Sequence, residues 1–198
     1  MKFATFYKTY YLHRIKKASN VLRCVIILTL PFNYLINKIL YPSKINLDEF
    51  SLKNKNLYKK NLEFLFQYFN SDKGKFFINQ YDKPIKKKNK LINGHSYHVF
   101  YDFFFSPLRD KKLKILEIGT FKGNATAAFY FYFKNSSFLS CDIYPDFFLY
   151  KSKRIDQLKI DNSSEIELHE KILGKYSGFD IIIEDAGHYL KDQIISLF

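Results

Sequence analysis

Three observations on this sequence predict an α/β fold built on a doubly wound parallel sheet. Residues 113–118 form a short apolar run that meets Glu117, breaks into a loop bounded by Gly119 and Gly123, and resumes at Asn124 with Ala125, Ala127 and Ala128. That pattern reads as strand, tight loop and helix. Ile181-Ile182-Ile183, closed by Glu184-Asp185, is continuously apolar, as expected of a strand covered on both faces of a parallel sheet. Finally, each of four predicted strands has an acid at or beside its end: Glu117, Asp142, Asp161 and Asp185. In sheets of this kind ligands bind outside the carboxyl ends of the strands.

Taken in chain order, residues 1–70 read as a basic, helical N-terminal region. Residues 1–90 carry 19 Lys and Arg against 5 Asp and Glu, a balance of +14, whereas residues 91–198 carry 13 against 14. The excess belongs to the first half only, which argues against specific nucleic-acid binding by the half that holds the glycine loop. Between Arg23 and Lys38 the uncharged stretch from Cys24 to Asn37 is shorter than the roughly 20 residues a spanning helix needs, and no small-residue cleavage site follows it. Such a segment could make peripheral contact with an anionic membrane surface; the simpler expectation is a helix packed against the domain. Cys24 and Cys141 lie in no paired or metal-like spacing, which fits a reducing, cytoplasmic compartment.

Residues 48–70 are predicted as one amphipathic helix with Leu57, Leu62, Phe64, Leu65 and Phe69 on its apolar side. Residues 71–112 read as an entry or lid segment. It contains a solvated basic insert at 83–90 and a second helix over 95–105, stopped by Pro107. Residues 113–198 are then the sheet domain, with further strands at 137–143, 158–160 and 181–183, and a helix over 165–173 between the last two.

The loop offers the first chemistry. Glycines let the backbone turn sharply and let a ligand lie against it, and the following helix start presents free N–H groups. A nucleotide-like cofactor suits such a place, although an ordinary βα turn without a ligand has the same pattern. Phe121 stands where a dinucleotide fingerprint has its middle glycine, so an NAD-linked oxidoreductase is the weaker alternative. Asp142, about twenty residues on, could accept hydrogen bonds from ribose hydroxyls or cap the turn before Pro145. Asp185 is a hard oxygen donor suited to Mg²⁺, and His188, three residues on, could take a proton from a hydroxyl.

In order along the chain stand Ser71-Asp72-Lys73-Gly74, His95-Ser96-Tyr97 with Tyr101, Leu116-Glu117-Ile118-Gly119, Cys141-Asp142-Ile143, and residues 179–188 reading Phe-Asp-Ile-Ile-Ile-Glu-Asp-Ala-Gly-His. This ordered set resembles the macrocin and mycinamicin type sugar O-methyltransferases, a family of class I S-adenosylmethionine (SAM) methyltransferases that use Mg²⁺. The resemblance implies a Rossmann-like sheet, of which the first four strands are represented here. It implies transfer of a methyl group to a hydroxyl of a sugar or other polyhydroxylated small molecule. Carried over, Glu117, Gly119 and Gly123 would form the SAM loop, Asp142 would bind ribose, Asp161 would lie near the adenine, Asp185 would hold Mg²⁺, and His188 would be the general base. The small residues of the Asp-Ala-Gly-His motif and the long basic insert depart from the family pattern. The family's further Glu-Asp metal pair and its last three strands lie beyond Phe198, so the sequence reads as C-terminally incomplete. The alternative expectation is a methyltransferase-like remnant acting as an interaction or membrane-associated module; an incomplete sheet with an exposed edge would also favour a homo-oligomer.

Overall fold

The structure is a computed structural model, and it describes residues 2–79, 90–176, 178–187 and 189–197. The chain divides into two compact units, residues 1–43 with 79–90, and residues 44–78 with 91–198. The basic insert expected at 83–90 falls, apart from Lys90, outside the described residues, as does His188.

The first unit contains α1 (Phe3–Tyr10), α2 (Leu12–Lys17) and α3 (Asn20–Leu40). Ser19 caps α3 by accepting a hydrogen bond from the Leu22 N–H. Phe6, Tyr11 and Leu30 form a small core with Ile26 and Tyr34. Phe6 lies 5.6 Å from the Tyr34 ring, and Phe3 meets that ring edge-on at 5.1 Å. At 21 residues and a mean hydropathy of 1.3, α3 is long and apolar enough to cross a membrane, and only 11% of it is buried. The packed face of α3 lies against α1 of its own unit.

The second unit carries α4 (Leu47–Lys53), α5 (Leu62–Tyr68), α6 (His98–Phe105), α7 (Asn124–Tyr132), α8 (Glu165–Leu168) and α9 (Leu190–Leu197). Its strands are β1 (Ile45–Asn46), β2 (Phe76–Ile78), β3 (Leu91–Asn93), β4 (Lys114–Ile118), β5 (Ser137–Asp142), β6 (Tyr150–Lys151), β7 (Ile155–Lys159) and β8 (Ile181–Glu184). The main sheet is parallel throughout, in the order β7-β5-β4-β8. In order of appearance that is 3-2-1-4, the doubly wound arrangement with its reversal between β4 and β8.

Every residue of α7 is buried, because it runs between the sheet and the aromatic layer of α4, α5 and α6. Phe66 and Tyr101 both meet the Phe129 ring, and Phe69 stacks on Phe131. The buried end of α7 leaves carbonyls that no helical N–H reaches. Arg154 donates to the carbonyls of Tyr130, Phe133, Lys134 and Ser136 while lying 3.7 Å over the Tyr130 ring.

Several boundaries differ from the sequence expectation. The single helix expected over 48–70 is two helices joined by a 3₁₀ turn at Lys55–Lys59, because Asn54 leaves helical geometry and Asn61 caps the second segment through the Phe64 N–H. Helix α6 starts at His98 and not at 95: Gly94, His95 and Ser96 give their N–H groups to Lys75, Asp72 and Gly74. The β2–β3 hairpin was not expected. The third strand begins at Ile155, and the helix at 165 passes into a π turn at His169–Leu173.

Candidate functional site

The carboxyl ends of β5, β4 and β8 bring the glycine loop, Asp142 and Asp185 to one edge of the sheet. The loop between β4 and α7 has three consecutive constraints: Gly119 at φ 89°, Phe121 at φ 45° and Gly123 at φ 76°, all left-handed. The glycines are needed for a different reason than a ligand's approach. A Cβ on Gly119 would be driven into the backbone of Asp185 and Ala186, and one on Gly123 would meet the Phe148 ring at 2.5 Å. Protein fills the Cβ direction at both positions, so each requires glycine on packing grounds alone.

Asp142 holds this loop from the neighbouring strand. Its Oδ2 accepts the Phe121 N–H at 2.7 Å, and its Oδ1 accepts the Tyr144 N–H at 2.7 Å. Burial raises its pKa, and the two amides oppose that rise. A carboxylate has about four acceptor positions, so two remain after the backbone bonds. Ile143 next to it is 41% exposed and offers an apolar surface. These residues fit a nucleoside: acceptors for paired hydroxyls stand beside a wall for a ring.

Behind the loop lies a buried charge cluster. Glu117, 2% exposed, accepts a 2.5 Å hydrogen bond from the Thr126 hydroxyl of α7. Burial pushes its pKa up to about 7, against the pull of the Lys73 ammonium and of Thr126. Lys73 is 2% exposed and its ammonium is ion-paired with Asp185. Burial alone would lower its pKa, but the carboxylates of Asp185 and Glu117 outweigh that and hold it above the ordinary lysine value. Tyr101 stands near the same groups, its pKa raised to about 12 chiefly by burial. Lys73 is placed by main chain: its carbonyl accepts from the His98 N–H, in the same zipper that joins residues 72–75 to 94–98.

Of the residues singled out in the sequence, Glu117, Gly119, Gly123, Asp142 and Asp185 lie on this edge. Asp161 follows the end of β7, where its carboxylate accepts from the Ser163 N–H and hydroxyl and so shapes the turn into α8. His188 lies outside the described residues. Sequence reasoning gave Lys73 no role of its own, although it stands inside one of the quoted motifs; its partner is 112 positions away.

The expected Mg²⁺ finds little support in the donors present. Among the described residues no group of three or more His, Cys, Asp or Glu could hold a metal ion, and the one expected ligand, Asp185, already faces an ammonium. A groove of about 660 Å³ exists at the opposite, amino ends of the strands, lined by Leu113, Ser137, Arg154 and Asp180, and so is not where the chemistry-bearing residues meet.

No protein-family model and no curated protein sequence matches the chain. Among solved structures that resemble it are two of the MycE methyltransferase from the mycinamycin biosynthetic pathway. One is a complex with Mg, SAH and mycinamycin VI (24% identity, TM-score 0.42, covering 50% of this chain) and the other a complex with Mg and SAH (24% identity, TM-score 0.41, covering 52%). The matched part spans 28% of the length of each. Superposition at this level assigns no role by itself.

Proposed function

We propose that the chain binds SAM at the carboxyl edge of its sheet and belongs to an O-methyltransferase acting on a hydroxyl of a sugar-like small molecule. The observation that carries this reading is Asp142: a half-buried carboxylate held by the glycine loop, with acceptors left over for paired hydroxyls. In this reading Asp142 binds the ribose, Ile143 flanks the adenine, Asp161 lies toward the adenine side, and the start of α7 presents N–H groups to the cofactor's polar end. When bound, SAM supplies an electrophilic methyl group. Gly119, Gly123 and Glu117 keep the loop in shape, and His188 takes the proton from the acceptor hydroxyl. No step is assigned to Mg²⁺.

A second reading, an interaction module that keeps the fold without the transfer chemistry, is favoured by one observation: the Lys73–Asp185 pair occupies the carboxylate that metal-assisted transfer would use.

Calorimetric titration of SAM into the folded chain tests the first reading, with NAD as control and with and without Mg²⁺. Saturable SAM binding, weakened about 10- to 100-fold by Asp142→Ala and not mimicked by NAD, is the expected result. Absence of SAM binding by the folded chain withdraws the reading, and NAD binding replaces it with the oxidoreductase. His188→Ala should leave SAM affinity intact and remove transfer; loss of both would make the histidine structural.

A further inference from the structure

We propose that α3 docks in the plane of an anionic lipid surface, its outward face in the acyl boundary. This inference is independent of the cofactor reading. At 100° per residue Val21, Val25, Leu28, Phe32, Leu35 and Ile39 fall within an arc of about 80°. All six are at least half exposed, Val21, Leu28, Phe32 and Ile39 each by 71% or more. Diametrically opposite, Ile26, Leu30 and Tyr34 face the aromatic residues of α1. The helix therefore has two apolar faces, and the described residues of its own unit cover only one of them.

Charge selects the occupant. Residues 1–47 contain eight Lys and Arg and no Asp or Glu. Lys8, Arg14, Lys16 and Lys17 on α1 and α2 are exposed, and Arg23 and Lys38 lie off the apolar arc near the two ends of α3. A protein groove would be matched by the apolar face alone; an acid-free, cation-rich surround matches an anionic bilayer, where each cation near the surface adds to binding.

Over its full 21 residues α3 is long enough to span, so the placement of its charges decides how it lies. The uncharged stretch from Cys24 to Asn37 covers 14 residues. That is about 21 Å of helix, against a hydrocarbon core of about 30 Å. Spanning would draw Arg23 or Lys38 inward together with the helix packed on the opposite face. Lying in the plane satisfies both faces, with α1 on one side and lipid on the other.

The chain has no tryptophan, so Phe32→Trp gives a single emitter on the exposed arc. With the full chain and vesicles of phosphatidylcholine containing 30% phosphatidylserine, the emission should shift to the blue and be quenched by lipids brominated near the headgroup end of the acyl chain. Pure phosphatidylcholine should bind at least tenfold more weakly. Arg14→Ser/Lys16→Ser/Lys17→Ser should weaken binding to the anionic vesicles about 100-fold, and Leu28→Glu/Ile39→Glu should abolish it while retaining the helical circular-dichroism signal. Four results would each overturn the proposal: equal binding to neutral vesicles, binding unaffected by the glutamates, quenching strongest at the bilayer centre, or a blue shift without vesicles in a sedimenting dimer. The third indicates a spanning helix and the fourth an interface between copies.

Discussion

At the edge of the sheet the chain buries charge, and along α3 it leaves apolar surface in water. Lys73, Asp185 and Glu117 come from residues far apart in sequence, and each of them lies near an opposite charge. The outward side chains of α3 come from one continuous stretch. The first arrangement is expensive to disturb because each group's partner is fixed by the fold; the second is locally indifferent, because no described neighbour in its unit depends on it. Burial of polar groups marks where the fold is over-determined, and exposure of apolar ones marks where something outside it is expected.

The comparison breaks most readily at Asp185. Asp185→Asn leaves Lys73 buried with a weaker set of partners and should destabilise the chain by about 3 kcal/mol in urea denaturation, most of it recovered in Asp185→Asn/Lys73→Met. A carboxylate kept only for a metal would show the opposite: removing it would leave stability unchanged or raised.

Glu117 sharpens the same side through pH. Its folded-state pKa, about 7, is raised above the unfolded value near 4.5, so its neutral form favours the fold. The stabilisation is complete below pH 4.5 and is lost as pH rises through 7, a change on the order of 3 kcal/mol. Glu117→Gln should remove that decline from a plot of thermal midpoint against pH.

Gly123→Ala should cost about 2 kcal/mol, since it combines a left-handed φ with the Phe148 ring. The smallest effect belongs to the other region. Leu28→Glu, on a side chain 73% exposed, should change the denaturation midpoint by no more than about 0.5 kcal/mol, the range of ordinary surface positions. A loss of 2 kcal/mol there would mean that the outward face of α3 is covered within the chain itself.

Strands were legible where the apolar run was continuous. Ile181-Ile182-Ile183 and the run into Gly119 were read at nearly their true extent, and the alternation between them led to the observed parallel sheet. Shorter or polar strands were not: Ile155–Lys159 carries Asp156 and Gln157, and the β2–β3 hairpin has three residues a side. The helix starts at Asn124 and Glu165 were read correctly; those at Leu62 and His98 were missed, because Asn61 and the zipper of 72–75 with 94–98 act through backbone and capping bonds that periodicity does not register. In the candidate site the strand-end acids could be found one at a time. Their mutual arrangement could not, since an ion pair spanning residues 73 and 185 exists only once the sheet has formed.

The guanidinium of Arg154 carries a consequence for proteolysis. Trypsin must draw an arginine side chain into its own pocket before it can cut, and this one is already bound to four carbonyls at the end of α7. Cleavage after Arg154 thus has to wait for the helix end to open, whereas Lys16 and Lys17 are exposed at the end of α2. In a timed digest, cuts at the exposed lysines of α2 should therefore precede the cut at the buried end of α7.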